Sequence, residues 1–411
     1  MTADTSDDAS SWASLPADLV RLVGRRVLAN DVLDYVCLRA VCGHWRSSTV
    51  FPHGSGITDP RFHLRRLYML PQEHGFYPRN GMLRLFNSST GTFIRSRHSL
   101  LRYHRVLDSL DGLLLLQQNC RGRRDIPIRL LNPLTSDIAE LPSLDPSMRP
   151  YFSLHPDDRE HVASLNVSED GVITVMITLF KFSRIVFATN RDQRWGVSTW
   201  DAKLPTRPSI SFQGKIYGWY SFADWSTHNT MVEIFEIEPP VLGLGSSSLP
   251  PPKLIVTCAI GKITVYYSVD LIECDSEILV VCSKHSTTFS GILVYKLADL
   301  ILGRVVPVAN IGGNALLVGI PRSLSVSCGA VPGVIGDAVV HRHPMYGYLR
   351  QCRLGSGTWS GVAGGTVSRF YSCKQKPGSL IHFLDLISYI PCFVAGVTSL
   401  SIYILPPLRN N

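Results

Sequence analysis

The chain has 411 residues, of which 45% are hydrophobic and 18% are charged, and its formal net charge is +8. This composition is that of a folded protein and excludes a fully disordered one, and the length allows a small domain followed by a large one. Residues 1–11 are polar and acidic and lack the apolar run of a secretory signal. We therefore predict a disordered leader and a cytoplasmic or nuclear location.

Residues 12–50 predict a small bundle of helices. Apolar residues recur every four positions from Leu15 to Val27, which is one stripe of an amphipathic helix. The pair Asn30-Asp31 interrupts this pattern and can cap a second helix. A segment of about 35 residues is too short to bury a core of its own, so we expect apolar surface to remain for a partner.

The start of the first helix has the expected signals. Ser14 can cap it, and Pro16 would lie in the first turn, where a missing N–H costs nothing. Asp18 suits the positive end of the helix dipole.

The order of residues in this segment resembles an F-box. The matching stretches are Leu15-Pro16-x-Asp18-Leu19-Val20, Asp31-x-Leu33-Asp34 and Leu38-Arg39-Ala40-Val41-Cys42-x-x-Trp45-Arg46. In that family the segment binds a Skp-type adaptor, which links it to the cullin and RING subunits of a ubiquitin ligase. The resemblance implies an adaptor-binding face formed by Leu15, Pro16, Leu19, Val23, Leu33, Val41 and Trp45.

Two alternatives to this interpretation stay open. Val41 and Trp45 could instead hold the F-box helices together. The whole segment could also be a helical cap that packs on the main domain.

The chain changes character after residue 50. Residues 51–60 are rich in Gly, Pro and Asp and predict a linker. From residue 61, short runs of Val, Ile, Leu, Phe and Tyr alternate with turn residues, which predicts one large all-β domain over 61–405 and a short tail at 406–411. The predicted fold class is therefore α+β multidomain, with a small all-α F-box before a large all-β domain.

An internal repeat favours a β-propeller. The stretch Arg84-Leu85-Phe86-Asn87-x-x-Thr90-Gly91 recurs 45 positions later as Arg129-Leu130-Leu131-Asn132-x-x-Thr135-Ser136. Each copy predicts a strand, a turn and a second strand, and a period of about 45 residues fits one four-stranded blade. The length allows about six to eight blades, and one or two β-sandwiches are the alternative.

The resemblance extends into this domain. Stretches at 111–116, 131–135, 211–217, 270–281 and 311–326 occur in the order found in plant, especially grass, F-box proteins. Their C-terminal part is called domain of unknown function 295 and is described as a β-propeller. The match fades after Gly347.

The net charge is concentrated in one segment. Residues 61–130 contain thirteen arginines, no lysine and four acidic residues. Such a segment could bind nucleic acid, but its arginines alternate with strand-forming residues and are more simply explained as solvated strand faces. We expect no nucleic-acid partner, with nucleic-acid binding kept as an alternative function.

No motif for catalysis, a cofactor or a metal is found in the sequence. The sequence contains no nucleophile elbow, no phosphate-binding loop and no His-Glu-x-x-His motif. It also contains no Cys-x-x-Cys, and His341 and His343 supply one ligand too few for even a minimal catalytic zinc site. The uncharged run 387–405 is long enough to span a membrane, but its Pro391, Gly396 and serines favour buried strands over a tail anchor. We expect no membrane partner.

The resemblance to F-box proteins thus implies a non-catalytic substrate receptor of a cullin-RING ubiquitin ligase. The F-box would bind the Skp-type adaptor, and the β domain would bind a target protein whose identity the sequence does not give. The alternative is an F-box and propeller binding module that acts outside any ligase.

Overall fold

The computed structural model of the chain describes residues 12–69, 79–119, 125–144, 162–179, 184–200, 210–240, 248–262, 266–285, 291–318, 323–342 and 349–362. The predicted leader, the run 387–405 and the tail lie outside the described residues.

Three helices open the chain: α1 (Ala17–Asn30), α2 (Val32–Ala40) and α3 (Gly43–Ser48). The predicted start of α1 is wrong by two residues, because Pro16 itself is the N-cap and its carbonyl accepts the first helical bond from Val20 N at 3.0 Å. No side chain caps this end. The predicted cap of α2 is confirmed, since Asp31 Oδ1 accepts a hydrogen bond from Leu33 N at 2.7 Å.

The remaining described residues form six β-sheets, here called blades 1 to 6. Blade 1 contains β1 (Leu67–Met69), β2 (Met82–Asn87) and β3 (Phe93–Arg97). Blade 2 contains β4 (His104–Leu110), β5 (Leu113–Gln118), β6 (Ile126–Leu131) and β7 (Ile138–Leu144). Blade 3 contains β8 (Ala163–Val167), β9 (Ile173–Leu179), β10 (Arg184–Thr189) and β11 (Gly196–Val197).

Blade 4 contains β12 (Ile210–Phe212), β13 (Lys215–Asp224), β14 (Asn229–Ile237) and β15 (Lys253–Lys262). Blade 5 contains β16 (Tyr266–Cys274), β17 (Glu277–His285) and β18 (Ile292–Lys296). Blade 6 contains β19 (Asn314–Val318), β20 (Leu324–Ser327), β21 (Ala338–Arg342), β22 (Leu349–Arg353) and β23 (Trp359–Gly361). Neighbouring strands are antiparallel except for β19 and β21 in blade 6, which are parallel. A short helix, Leu297–Ile301, follows blade 5.

Six hydrophobic clusters join the blades into a closed ring, each cluster filling the space between two successive blades. Strand β5 shows why the sequence produces this arrangement. Leu113 and Leu115 pack toward blade 3, whereas Leu114 and Leu116 pack toward blade 1. Because successive side chains of a strand point to opposite faces, a strand buried on both faces must be apolar throughout.

The ring closes between blade 6 and blade 1. Phe86 of blade 1 packs with Leu317, Leu324 and Val326 of blade 6. The Ser327 N–H also donates to the Ser88 carbonyl at 2.9 Å. The prediction of a propeller is therefore confirmed with six blades, and the β-sandwich alternative is wrong.

The two ends of the ring differ. Strands β4, β8, β12, β16 and β20 contact one another in succession and are the inner strands. The turn Asp111-Gly112 after β4 lies against Leu64, beneath the helices. The second strand of each blade starts at this helix-facing end, and β13 is the second strand of blade 4. Because β13 has ten residues, the β13–β14 turn lies at the opposite end of the ring, about 30 Å away.

Candidate functional site

The helical segment exposes several large apolar side chains, here together called the apolar face. It consists of Leu19 (43% exposed), Leu22 (50%), Val23 (36%), Val36 (38%) and Val41 (63%). Three come from α1, one from α2 and one from the residue after α2. The sequence prediction included Leu19, Val23 and Val41 and missed Leu22 and Val36. Leu22 lies three positions after Leu19, and Val36 lies four positions after Val32. The helical period could therefore have identified both residues.

The other four predicted adaptor-binding residues have different surroundings. Pro16 is exposed, and Leu15 is half-buried with its carbonyl 2.8 Å from His44 Nε2. Leu33 is half-buried and packs against the cluster between blades 1 and 2. Trp45 is half-buried and donates from Nε1 to the Trp12 carbonyl at 3.1 Å. Trp45 therefore links α3 to a residue that precedes α1, whereas Val41 is 63% exposed.

Other side chains of the helices pack on the propeller. Leu28, Val32 and Tyr35 join the cluster between blades 1 and 2, where Tyr35 lies 6.2 Å from Phe62 between ring centroids. Tyr35 Oη also donates to the Val50 carbonyl at 2.7 Å. The helical segment thus packs on the propeller, while Leu19, Leu22, Val23, Val36 and Val41 stay exposed, and the F-box interpretation stays a prediction.

Asp137, in the β6–β7 turn, fastens the linker to blade 2. Its carboxylate accepts hydrogen bonds from Gly54 N at 2.8 Å, Gly56 N at 2.7 Å and Thr135 Oγ1 at 2.8 Å. His53 Nδ1 lies 3.1 Å away. Burial opposes ionisation of Asp137, but these donors outweigh it and lower the pKa of the carboxyl group.

Two asparagines at equivalent positions of the 45-residue repeat hold the N-terminal segment. In each turn the Asn Oδ1 accepts backbone N–H groups two and three residues later, which leaves Nδ2 free to donate elsewhere. Asn87 Nδ2 donates to Asp31 Oδ2 at 3.1 Å, and Asn132 Nδ2 donates to the Gly56 carbonyl at 2.7 Å. The helices and linker are therefore fixed relative to blades 1 and 2.

A hairpin at the far end of the ring presents an exposed tryptophan. Trp225, between β13 and β14, is 71% exposed. Asp224 fixes this turn by accepting hydrogen bonds from Ser226 N at 3.0 Å and Thr227 Oγ1 at 2.7 Å. On β13, Tyr220 and Phe222 stack with their centroids 6.0 Å apart. Exposed tryptophan and tyrosine side chains are typical of protein-binding hot spots.

The described arginines of 61–130 differ in their surroundings, and Arg61, Arg65 and Arg66 line one cavity next to the helices. Arg105 is buried, and Arg129 donates to Glu140 at 2.8 Å. Arg95 and Arg97 are exposed on β3.

Two kinds of site are absent from the described part of the chain. It contains no group of three or more side chains positioned to hold a metal ion. None of its helices has both the length and the apolar character needed to cross a membrane.

Solved structures that match the chain include a prolyl endopeptidase, which is 13% identical over 61% of this chain and 34% of its own, with a TM-score of 0.27. The chain thus spans about a third of that enzyme. The β-propeller domain of the Trilobed protease from Pyrococcus furiosus is 8% identical over 71% of this chain and 89% of its own (TM-score 0.27). An exo-beta-1,3-galactanase from Phanerochaete chrysosporium is 9% identical over 72% and 66% (TM-score 0.25). TM-scores this low support no argument about this chain.

No curated protein matches the chain. The model of one family, described as the KIB1-4 beta-propeller, matches residues 85–342, which is more than half of the sequence and runs from blade 1 to blade 6. The chain belongs to the KIB1-4 beta-propeller family.

Proposed function

We propose that this protein is a substrate receptor of a cullin-RING ubiquitin ligase, in which the helices are an F-box that binds a Skp-type adaptor and the propeller binds a target protein. It acts in the cytoplasm or nucleus and performs no bond chemistry. Its contribution is proximity, because holding a target beside the ubiquitin-carrying enzyme raises the effective concentration of the two.

The apolar face is the observation that carries the proposal. Leu19, Val23 and Val41 match the F-box pattern and are all exposed, although side chains of this kind gain about 1.5–3 kcal/mol each from burial. Their helices already pack on the propeller through other side chains, so this face is available to a second protein. An adaptor that covers it would recover the burial energy.

The arrangement of the ring supports separate sites for adaptor and target. The helices lie at one end of the ring and the Trp225 hairpin lies at the other, so an adaptor on the apolar face would leave the hairpin accessible. The bonds made by Asp137, Asn87 and Asn132 would transmit a fixed orientation from one site to the other.

The test is co-purification of the full chain with a Skp-type adaptor. Leu19→Asp and Val41→Asp place a charge on the apolar face, and each should lower adaptor binding at least tenfold, which corresponds to about 1.4 kcal/mol. Leu302→Asp is the matched control, because Leu302 is 66% exposed at the C-terminal end of the short helix Leu297–Ile301, after blade 5. Equal adaptor binding by all three variants would contradict the proposal.

The alternatives have their own tests. A binding module outside any ligase would retain the adaptor but fail to capture a cullin in a pull-down. A nucleic-acid-binding protein would show affinity that falls steeply with salt. The exposed arginines of the described part of 61–130 are the side chains that such binding would use: Arg61, Arg65, Arg66, Arg95, Arg97 and Arg102.

A further inference from the structure

The β13–β14 hairpin of blade 4 carries aromatic side chains on a surface that the neighbouring blade leaves uncovered. At the base of the hairpin, Ile216 and Ile237 pack with apolar residues of blade 3. Further along the same side of β13, Tyr220 is 38% exposed and Phe222 is half-buried. These residues share one side because alternate residues of a strand point to the same face. The side of blade 4 that contacts blade 3 at its base is therefore an exposed aromatic surface nearer the hairpin tip.

The pairing register of the hairpin defines which side chains share this surface. Tyr220 lies directly opposite Glu233, and Phe222 lies directly opposite Met231. Such directly opposite residues share a face, and their Cβ atoms are about 4.5–5.5 Å apart. These four residues are here called the Tyr220 face. The rings of Tyr220 and Phe222 stack with an angle of 18° between their planes, so the two aromatic rings lie together beside Glu233.

The carboxylate of Glu233 has no partner among the described residues, unlike the other carboxylates of the hairpin. Glu236, on the opposite face, accepts hydrogen bonds from Lys215 Nζ at 3.0 Å and from Tyr217 Oη at 2.8 Å. Asp224 accepts hydrogen bonds within its own turn. Glu233 is half-buried and forms no hydrogen bond or ion pair with any described residue. Its charge is therefore available to a ligand.

No described lysine or arginine lies opposite Glu233. On the neighbouring strand β15 its partner is Thr257, whereas Lys253 and Lys262 lie at the two ends of that strand. The hairpin itself, residues 215–237, contains three acidic residues and one lysine. The Tyr220 face thus combines aromatic rings with a negative charge, which attracts a cation and repels a phosphate group.

We propose that the Tyr220 face binds a lysine or arginine side chain of the target protein. The cation lies over the rings of Tyr220 and Phe222, whose faces are negative, and forms an ion pair with Glu233. Met231 packs against the apolar stem of the bound side chain. Trp225, 71% exposed at the tip of the same hairpin, is available to neighbouring residues of the target. This assignment rests on the proposed receptor function, because the bound side chain belongs to the target.

Selection from random dodecapeptides displayed on phage, with the full chain as bait, tests this proposal. We expect the wild type to enrich peptides that contain lysine or arginine. Because the whole chain has a net charge of +8, non-specific selection would enrich acidic peptides instead. Glu233→Lys should lose the preference for basic peptides. The matched control is Glu169→Lys, at an exposed position in the β8–β9 turn at the helix-facing end, and it should select the same peptides as the wild type.

Calorimetric titration then measures the most enriched peptide against a variant that keeps the shape of the basic side chain without its charge, citrulline for arginine or norleucine for lysine. The uncharged peptide should bind the wild type at least about tenfold more weakly, and Glu233→Gln should weaken binding of the basic peptide as much. Tyr220→Ala should weaken it about threefold. Selection without basic enrichment, or equal affinity for the two peptides, would overturn the proposal.

Adaptor co-purification separates this proposal from the receptor function on which it rests. Glu233→Lys should bind the Skp-type adaptor as the wild type does. Failure of the wild type to bind the adaptor would contradict the F-box assignment, whatever peptides the hairpin selects. Normal adaptor binding together with failed peptide selection would contradict only the role of the Tyr220 face.

Discussion

Removing the Asp137 carboxylate should release the linker from blade 2. Asp137→Ala deletes an acceptor whose side chain is only 12% exposed and which holds Gly54, Gly56 and Thr135. Hydrogen bonds to a charged acceptor contribute about 1.5–3 kcal/mol each but are not additive, and the N–H of the exposed Gly54 can bind water instead. We therefore expect a loss of about 3 kcal/mol in the free energy of unfolding.

The pH dependence of this loss has a defined sign. Because the folded pKa of Asp137 is lowered, its contribution is present above the unfolded pKa of about 3.9 and disappears as the pH falls through the folded pKa. The difference between Asp137→Ala and the wild type should thus be constant at neutral pH and shrink below about pH 4.

Urea unfolding of the full chain measures the loss, and limited proteolysis at 51–60 reports release of the linker. Asp137→Asn is the matched variant, since it keeps the shape and one acceptor oxygen but not the charge, and it should lie between the other two proteins. A change below about 0.5 kcal/mol in Asp137→Ala, with an unchanged cleavage rate, would refute the reasoning.

Three further predictions concern other parts of the ring. Glu273→Gln should leave the free energy of unfolding unchanged below about pH 4 but raise it by about 2 kcal/mol above pH 7. The reason is that the folded pKa of Glu273 is raised, so the wild type loses stability as the pH rises. Melting temperatures of the variant and the wild type, measured against pH, would run parallel if this is wrong. Gly112→Ala should cost about 2–4 kcal/mol in urea unfolding, because its φ is +84° and a Cβ would lie 2.3 Å from the Leu64 carbonyl. Gly171→Ala, with φ of +74° and open space around it, should cost only about 1–2 kcal/mol. Trp225→Ala should lower target capture, measured by proximity labelling with the proteasome blocked, at least tenfold relative to Tyr103→Ala, which removes another exposed aromatic ring.

Local signals made the strands and turns predictable. The turn Asp111-Gly112 needs positive φ at both residues, so the sequence identifies it without help from distant contacts. The repeated turns at Asn87 and Asn132 are also predictable from local sequence, because each Asn side chain accepts a hydrogen bond from a backbone N–H two residues later. Both stretches lie between strands of equivalent hairpins in blades 1 and 2.

The anchors and the blade number depend on contacts that no local pattern records. Asp137 meets Gly54 across 83 positions of sequence, and Asn87 meets Asp31 across 56. The sequence predicts the blade number only as a range, because the described strands vary in length from two residues in β11 to ten in β13, and this variation obscures the repeat. Leu33 has the same apolar character as Leu19, and only the position of the propeller decides which of them is covered.

The four leucines of β5 also constrain how this protein can be produced. All four are fully buried, two against the preceding blade and two against the following one. A fragment that ends before blade 3, or that begins after blade 1, would leave one leucine pair in water on a strand of high aggregation tendency. Expression of isolated blades should therefore yield insoluble material, and newly synthesised chains need protection from aggregation until the blades on both sides of β5 have been made.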